Sequence, residues 1–475
     1  MYRRILIFLV FCFLLFAFGL SAQDTWVKSY APFGSGDDEN YTVRNITICQ
    51  DGGYAVNGTY IYDDSPYIIF EWGFLMKTDS DGNFLWAKKD TISFIERTES
   101  LAFVETDDGG FISAVTNSTI GGGNALIKRD SNGNREWVVE NVEFQVWSMA
   151  KTNDGNIVLS GMLSLNLPAI KKIDDTGAEL WTQTYSPTNS RETGRLSSII
   201  ETSDGGLAAT GYIQGNGLDI FILKTDAVGD TMWTSSYDGY GYNDYGKCII
   251  EGNESEFLIC GSYSEFISQI NIFILYDFEG DFISSNTFDN IMQASAVIQT
   301  QDSKFVTCSY PDNLKFDSEY NVEWLSDYAG YGGDKCIIET NENFLVFPGT
   351  HYSGSTQSIK ITKTDGNGQV TSADNFVITK PNNISLICYP NPFNPITNIN
   401  FSSQSSFEEI ELSVYNIKGQ LIKDLFETDI LTFGDYSIHW DGINNDNQIV
   451  GAGIYFVILK SNSRIINSKK ILLLK

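Results

Sequence analysis

Histidine is almost missing: 475 residues contain two. His351 and His439 lie in distant contexts, and a pair placed like that cannot build a zinc site or activate a nucleophile. Basic residues are scarce as well, with 31 Lys and Arg against 60 Asp and Glu and a formal net charge of −29. Such a surface repels nucleic acid and anionic membrane, so neither is expected as a partner. Beyond the N-terminus there is no long apolar run and no long amphipathic helical pattern, which excludes a helical bundle and a membrane span in the mature chain. No catalytic motif is recognisable, so no catalytic residue, metal or cofactor is assigned.

What is present points to β structure in an exported protein. Aromatics make up 13% of the chain, with 42 Gly and many Thr, Ser and Asn. Residues 1–22 place Arg3 and Arg4 before an apolar run from Ile5 and small residues at Gly19, Ser21 and Ala22. That is the order of a secretory signal peptide; an uncleaved anchor is the alternative. Removing them takes away two Arg and no acid, leaving 29 basic residues against 60 acidic ones and a charge of −31. Six cysteines remain: Cys49, Cys248, Cys260, Cys308, Cys336 and Cys388. Export permits disulfides, yet four of the six fall in small-residue slots of a repeat and read as compact fillers, with a Cys248–Cys260 bridge as the other option.

The repeat is the main signal. "KTDSDGNFLW" (77–86) returns as "KRDSNGNREW" (128–137), "KIDDTGAELW" (172–181) and "KTDAVGDTMW" (224–233). Its Asp recurs at 79, 130, 174, 226, 277, 317 and 365. Gly follows three residues later, except at Tyr320, and Trp seven residues later, except at Ser284 and Ser372. Upstream of each copy lies an Asp-Gly turn, as in "QDGGYAVNG" (50–58), which degenerates in the last three copies. Each unit reads as four short strands with tight turns, the pattern of a propeller blade. "WVKSY" (26–30) matches the fourth strands "WTQTY" (181–185) and "WTSSY" (233–237) and precedes any complete unit, so it is expected to complete the last blade. The expected fold is all-β: a seven-bladed β-propeller, with six or eight blades as alternatives, followed by a small immunoglobulin-like β-sandwich.

The decapeptide itself reads as a stitch. Its Asp can bond its own backbone two residues on, its Gly can take positive φ, and its Trp can pack between blades. A calcium loop at "DSDGN" (79–83) would need the later bidentate Glu of an EF-hand, which is missing. Lys77, Lys128, Lys172, Lys224, Lys315 and Lys363, two residues before the Asp, are expected to cover apolar surface and neutralise nearby carboxylates. The Asp-x-x-Gly-x-x-x-Trp spacing resembles the repeats of quinoprotein-like propellers. It resembles still more the repeat propellers common in exported proteins of the Bacteroidota, a likeness that implies a fold and leaves function unassigned.

After Gly368 the repeat stops. The expected organisation is a signal peptide at 1–22, a propeller at 24–370, a linker at 371–386 and a sandwich at 387–475. In the last segment Pro390, Asn391, Pro392, Trp440, Asp441, Gly442, Gly453, Tyr455, Lys469 and Lys470 stand in motifs that look like the type A C-terminal sorting domain of the type IX secretion system. That resemblance implies export across the inner membrane, recognition by the outer-membrane translocon and a place outside the cell or on its surface.

Short fixed turns occupy one rim of such a propeller, so variation collects on the other. There Phe33, Tyr60, Tyr62, Asp63, Asp64, Tyr67, Tyr240, Tyr242, Asp244 and Tyr331 mix aromatic faces with acids, a combination suited to binding. The expected function is a non-catalytic surface module for glycan or protein, without an acid pair of perturbed ionisation on this rim. The alternative is a carbohydrate-active enzyme, a hydrolase or lyase, which needs two carboxylates across a cleft.

Overall fold

The computed structural model describes residues 25–474 apart from 35–38, 66–67, 93–96, 118–123, 165, 187–192, 216, 240–242, 254, 266–267, 289–290, 292, 311–312, 327–331, 336, 354–355, 371–377, 380–383, 404–406, 432–433 and 462–463. The expected signal peptide therefore lies outside the described residues. Every regular element among them is a strand, and the chain divides into two units, Met1–Lys380 and Pro381–Lys475.

In the first unit, a β-propeller, seven sheets lie among the described residues: five are four-stranded and antiparallel, and the first and last each gain a fifth strand in parallel, Gly332–Lys335 and Ile378–Thr379. The first holds Glu39–Ile48, Tyr54–Ser65, Ile68–Thr78 and Phe84–Asp90. The fourth holds Gly194–Glu201, Leu207–Gln214, Leu218–Thr225 and Thr231–Tyr237. The fifth holds Asn243–Glu251, Phe257–Glu265, Ser268–Tyr276 and Phe282–Asn286. From the first sheet to the sixth, the opening strand of each touches the opening strand of the next, and that of the sixth touches Gly332–Lys335. Inner strands are consequently covered on both faces, as at Phe111–Asn117, whereas outer strands such as Glu179–Thr184 stay half exposed. The opening strands share a bulge, for example between Val146 and Ser148, just before their small residues. Beyond it the expected slots face each other across the first hairpin: Asn45 with Asn57, Ala102 with Ala114, Ser148 with Ser160, Cys248 with Cys260. Cys49, Cys248, Cys260, Cys308 and Cys388 are buried and form no disulfide among the described residues, and Cys336 lies outside them.

Ring closure is seen in the register. The seventh sheet runs Ile338–Glu339, Leu345–Ser353, Thr356–Thr364, and then Trp26–Tyr30 as its outer antiparallel strand. Trp26 sits opposite Lys363, as Trp86 sits opposite Lys77, Trp181 opposite Lys172 and Trp233 opposite Lys224. Ile378–Thr379, inside the expected linker, adds two residues in parallel to the same strand, and Ile384–Tyr389 opens the second unit.

The repeat residues act between sheets. In the turn after Lys77, the Asp79 carboxylate accepts the N–H groups of Asp81 (3.0 Å) and Asn83 (2.7 Å); Asp130, Asp226 and Asp317 repeat this. Those oxygens are occupied by their own turn. The glycine takes φ of 88° at Gly229, and a Cβ there would lie 2.9 Å from the Trp181 ring of the preceding sheet. Gly82 faces Trp26, Gly133 faces Trp86 and Gly280 faces Trp233 in the same way. The indoles are half buried, so each contributes about 1–2 kcal/mol, less than full burial would give. The two exceptions answer one another: Ser284 has lost the indole, the following turn carries Tyr320 in place of glycine, and the two hydroxyls lie 3.3 Å apart.

The lysines do neutralise carboxylates, but from buried positions and at the other turn of their own sheet. Lys77 reaches Asp51 (2.8 Å), Lys128 reaches Asp108 (2.7 Å), Lys172 reaches Asp154 (2.7 Å), Lys224 reaches Asp204 (2.9 Å) and Lys315 reaches Asp302 (2.8 Å). Each therefore ties the first turn of its blade to the last.

The second unit is a β-sandwich. Ile384–Tyr389, Thr397–Ser403 and Gly434–Trp440 form one sheet; Leu421–Leu431, Phe407–Asn416, Gly453–Ser461 and Arg464–Leu473 form the other. Alternate residues of both, including Ile399, Phe401, Leu412, Val414, Val457 and Ile471, build one apolar core around Trp440.

Candidate functional site

Antiparallel order sends the tight turns of every blade to one rim and the remaining loops to the other. On the tight-turn rim a cavity of about 400 Å³ opens between the first three sheets, lined by Asn45, Gln50, Glu105, Ser148 and Lys151 among others. Its charges are engaged: Glu105 accepts the Gln50 N–H and Lys151 pairs with Asp107.

The loop rim differs. The first sheet sends out a hairpin of 12- and 11-residue strands, Tyr54–Ser65 and Ile68–Thr78, where the same hairpin of the third sheet has 7 and 7. Cross-strand pairing puts Tyr62 opposite Phe70 and Tyr60 opposite Trp72. Their rings form a near-parallel row, with Phe70 and Trp72 centroids 5.4 Å apart at 2°, Tyr60 and Trp72 5.8 Å apart at 16°, and Tyr62 and Phe70 6.4 Å apart at 21°. Tyr62, Phe70 and Trp72 are half buried and Asp63 is exposed.

Two expected rim residues belong to the packing beneath. Tyr60 is buried, with its hydroxyl pushed up by burial and by Glu39. Phe33 packs on Tyr60 and Phe74 (5.2 and 6.1 Å), and its segment is held by Tyr41, whose hydroxyl accepts the Phe33 and Gly34 N–H groups. The cause is the alternation along the strand, which points Tyr41 and Tyr60 at one shared face. Lys89 caps this cluster 4.1 Å from the Trp72 centroid and 4.5 Å from that of Tyr60, and desolvation lowers its pKa.

Asp244 is a third departure. Expected as an accessible rim acid, it has no exposed surface, and two neighbours come with it: Asp219 at the start of Leu218–Thr225 and Asp238 just after Thr231–Tyr237. Each of the three offers a carboxylate oxygen within 4.8 Å of the others. Burial first, then the charges of Asp238 and Asp219, push the Asp244 carboxyl up to about 7 against one hydrogen bond from the Gly239 N–H (2.6 Å). Asp219 is raised by burial and by Asp238. The expectation of a rim without perturbed acids therefore fails here. Asp219 and Asp238 escape a sequence reading because they sit on separate segments, a strand start and a strand exit, that meet only where the fourth sheet hands over to the fifth. Asp64 lies in the first hairpin with its side chain outside the described residues, as are Tyr67, Tyr240, Tyr242 and Tyr331 altogether.

In the sandwich the motif residues divide into two groups. Asn391 imitates a strand, donating to the Lys470 carbonyl and accepting the Leu472 N–H (2.9 Å each). Trp440 donates to the Ile443 carbonyl (3.0 Å) and packs on Phe393 and Tyr455, while Tyr455 donates to the Gly451 carbonyl and Gly442 turns at φ 71°. Pro390, Pro392, Asp441, Lys469 and Lys470 are exposed, and so is Tyr389 at 73%. The first group holds the fold; the second turns its side chains to solvent.

No curated protein matches the chain significantly. Among solved structures it is similar to PorZ, an essential bacterial surface component of the type-IX secretion system of Porphyromonas gingivalis (11% identity, TM-score 0.39, covering 90% of this chain and 69% of that one). It is also similar to virginiamycin B lyase from Staphylococcus aureus (14%, 0.45, 72% and 97%) and to the Pan2 WD40 domain of Neurospora crassa (11%, 0.43, 68% and 89%). Likenesses this distant carry no argument about activity. Among the described residues no helix is long and apolar enough to cross a membrane. Residues 387–473 match the family described as "Secretion system C-terminal sorting domain": the chain carries a type IX sorting domain and is a cargo exported to the cell surface or the extracellular space.

Proposed function

We propose that the propeller is a binding module, displayed or released by the type IX machinery, that takes up glycan on its loop rim, with residues 1–22 serving as a cleaved signal for the first export step. The observation that carries this reading is the row Tyr62, Phe70 and Trp72 on the extended hairpin, half exposed, with Asp63 beside it. Flat aromatic groups with a neighbouring hydrogen-bond acceptor suit the apolar face and hydroxyls of a sugar ring. Protein is the other ligand class such a surface takes.

A carbohydrate-active enzyme is kept as the second reading because Asp244 has the ionisation of a general acid and stands beside two further carboxylates. Its lack of exposed surface supports the first reading, since an acid must reach the glycosidic oxygen. A glycan array scored for both retention and cleavage tests them together. The expected result is retention without cleavage, weakened about tenfold or more in Tyr62→Ala and in Phe70→Ala. Cleavage that disappears in Asp219→Asn would favour the enzyme; an array with neither outcome would reject glycan as the ligand.

A further inference from the structure

The carboxylate group at the handover from the fourth sheet to the fifth is independent of the aromatic row. Asp219 comes from the third strand of the fourth sheet, Asp238 from the segment leaving its fourth strand, and Asp244 from the opening strand of the fifth. Asp244 is wholly buried. Its Oδ2 accepts the Gly239 N–H at 2.6 Å, but its Oδ1 is buried with no hydrogen-bond partner at all. What acts on it is burial, that backbone bond and the like charge of its two neighbours; no Lys or Arg is among the influences.

A buried carboxylate oxygen facing two more carboxylates needs a positive partner. A proton on Asp244 is one such partner, but it leaves the other two carboxylates facing one another. A metal ion meets the geometry. Oxygens bound to one calcium at about 2.3–2.6 Å stand at most about 5 Å apart, and these lie within 4.8 Å of one another. Beside Asp219 the approach is kept open by a missing side chain: a Cβ on Gly215 would fall 2.8 Å from Asp219 Oδ2. All three donors are oxygens, without histidine or thiolate, which selects a hard cation. They come from three separate segments, with Asp238 exposed, so the site tolerates the irregular six- to eight-fold shell of calcium better than the strict octahedron of magnesium.

We propose that Asp219, Asp238 and Asp244 form a calcium site that fastens the loops of two neighbouring blades on the binding rim. Export makes a modest affinity sufficient, because extracellular calcium modules work at about 0.1–1 mM.

The full chain, stripped with chelator, is titrated with calcium and separately with magnesium at about pH 8, following melting temperature and binding heat. One calcium site with an affinity near about 0.1–1 mM is expected, with a rise in melting temperature that magnesium reproduces only weakly. Asp219→Asn and Asp244→Asn should abolish both signals, whereas Asp63→Asn, on the other hairpin, should keep them. If either cluster variant fails to fold, the exposed Asp238→Asn decides by the same readout. A calcium response unchanged in these variants would assign it to the diffuse negative surface and overturn the site. So would the absence of any response in the parent protein, or a higher melting temperature of Asp244→Asn without calcium together with no calcium response in the parent.

Discussion

The two rims of the propeller hold the same side chain under opposite conditions. On the tight-turn rim, partial burial works against the Asp108 carboxylate, but hydrogen bonds from Lys128, Thr106 and the Gly110 N–H overcome it and hold the group near about 2. On the loop rim, Asp244 is pushed up to about 7. A tight turn presents donors at fixed positions, so Asp51, Asp108, Asp154, Asp204 and Asp302 are answered within their own blades. The loop rim assembles acids from segments of different sheets, and the buried Oδ1 of Asp244 is left without a donor. Satisfied acids mark the part of the repeat that builds; that oxygen marks a place left for a ligand.

The largest effect should come from breaking a stitch. Gly229→Val combines a positive φ with a ring contact below 3 Å, and a loss of about 3 kcal/mol or more is expected in urea unfolding. Next, Ser284→Trp alone should overpack against Tyr320 and cost about 1–3 kcal/mol, and Tyr320→Gly alone should leave a gap costing about 2–4 kcal/mol. The double variant restores the pairing used elsewhere, so its loss should fall at least about 1 kcal/mol below the sum. Simple additivity would deny that the exceptions compensate.

Acid titration separates the rims. Asp51, Asp108, Asp154, Asp204 and Asp302 all have carboxyls held below their ordinary value. Their contribution is therefore complete above about pH 4 and is lost as pH falls toward about 2. Lys128→Met should flatten that part of the stability curve. The loop-rim acid has the reverse sign. Asp244 binds its proton more tightly folded than unfolded, so its contribution is present below about pH 4 and is lost as pH rises from about 4 to about 7. Without calcium, Asp244→Asn should melt above the parent at pH 8, and the difference should close as the pH is lowered to 4.

Features set by the repeat could be read directly from the residues. The strand pattern, the turn chemistry and the placement of Trp26 in the last sheet all follow from counting positions to Lys and Trp. Features that depend on which blades touch could not. Ser284 and Tyr320 each appear as a lone exception, and only the neighbouring-sheet contact joins them into one substitution. Tyr60 has the residue type of a rim contact, yet its pairing opposite Tyr41 and Trp72 buries it. Asp244 was visible as an acid near a loop, whereas Asp219 and Asp238 look like solvated charges until three segments converge. In the sandwich, the motif located the module, but it did not separate Asn391 and Trp440, which serve the fold, from Lys469 and Lys470, which remain outside.

Trp26–Tyr30, laid against Thr356–Thr364, gives the ring a chronology. A stretch made before any complete sheet takes up the place that is completed last, so the structure cannot seal until residue 364 has been made. Any factor that grips the chain before then meets an open seam, with one tryptophan waiting for a sheet that does not yet exist.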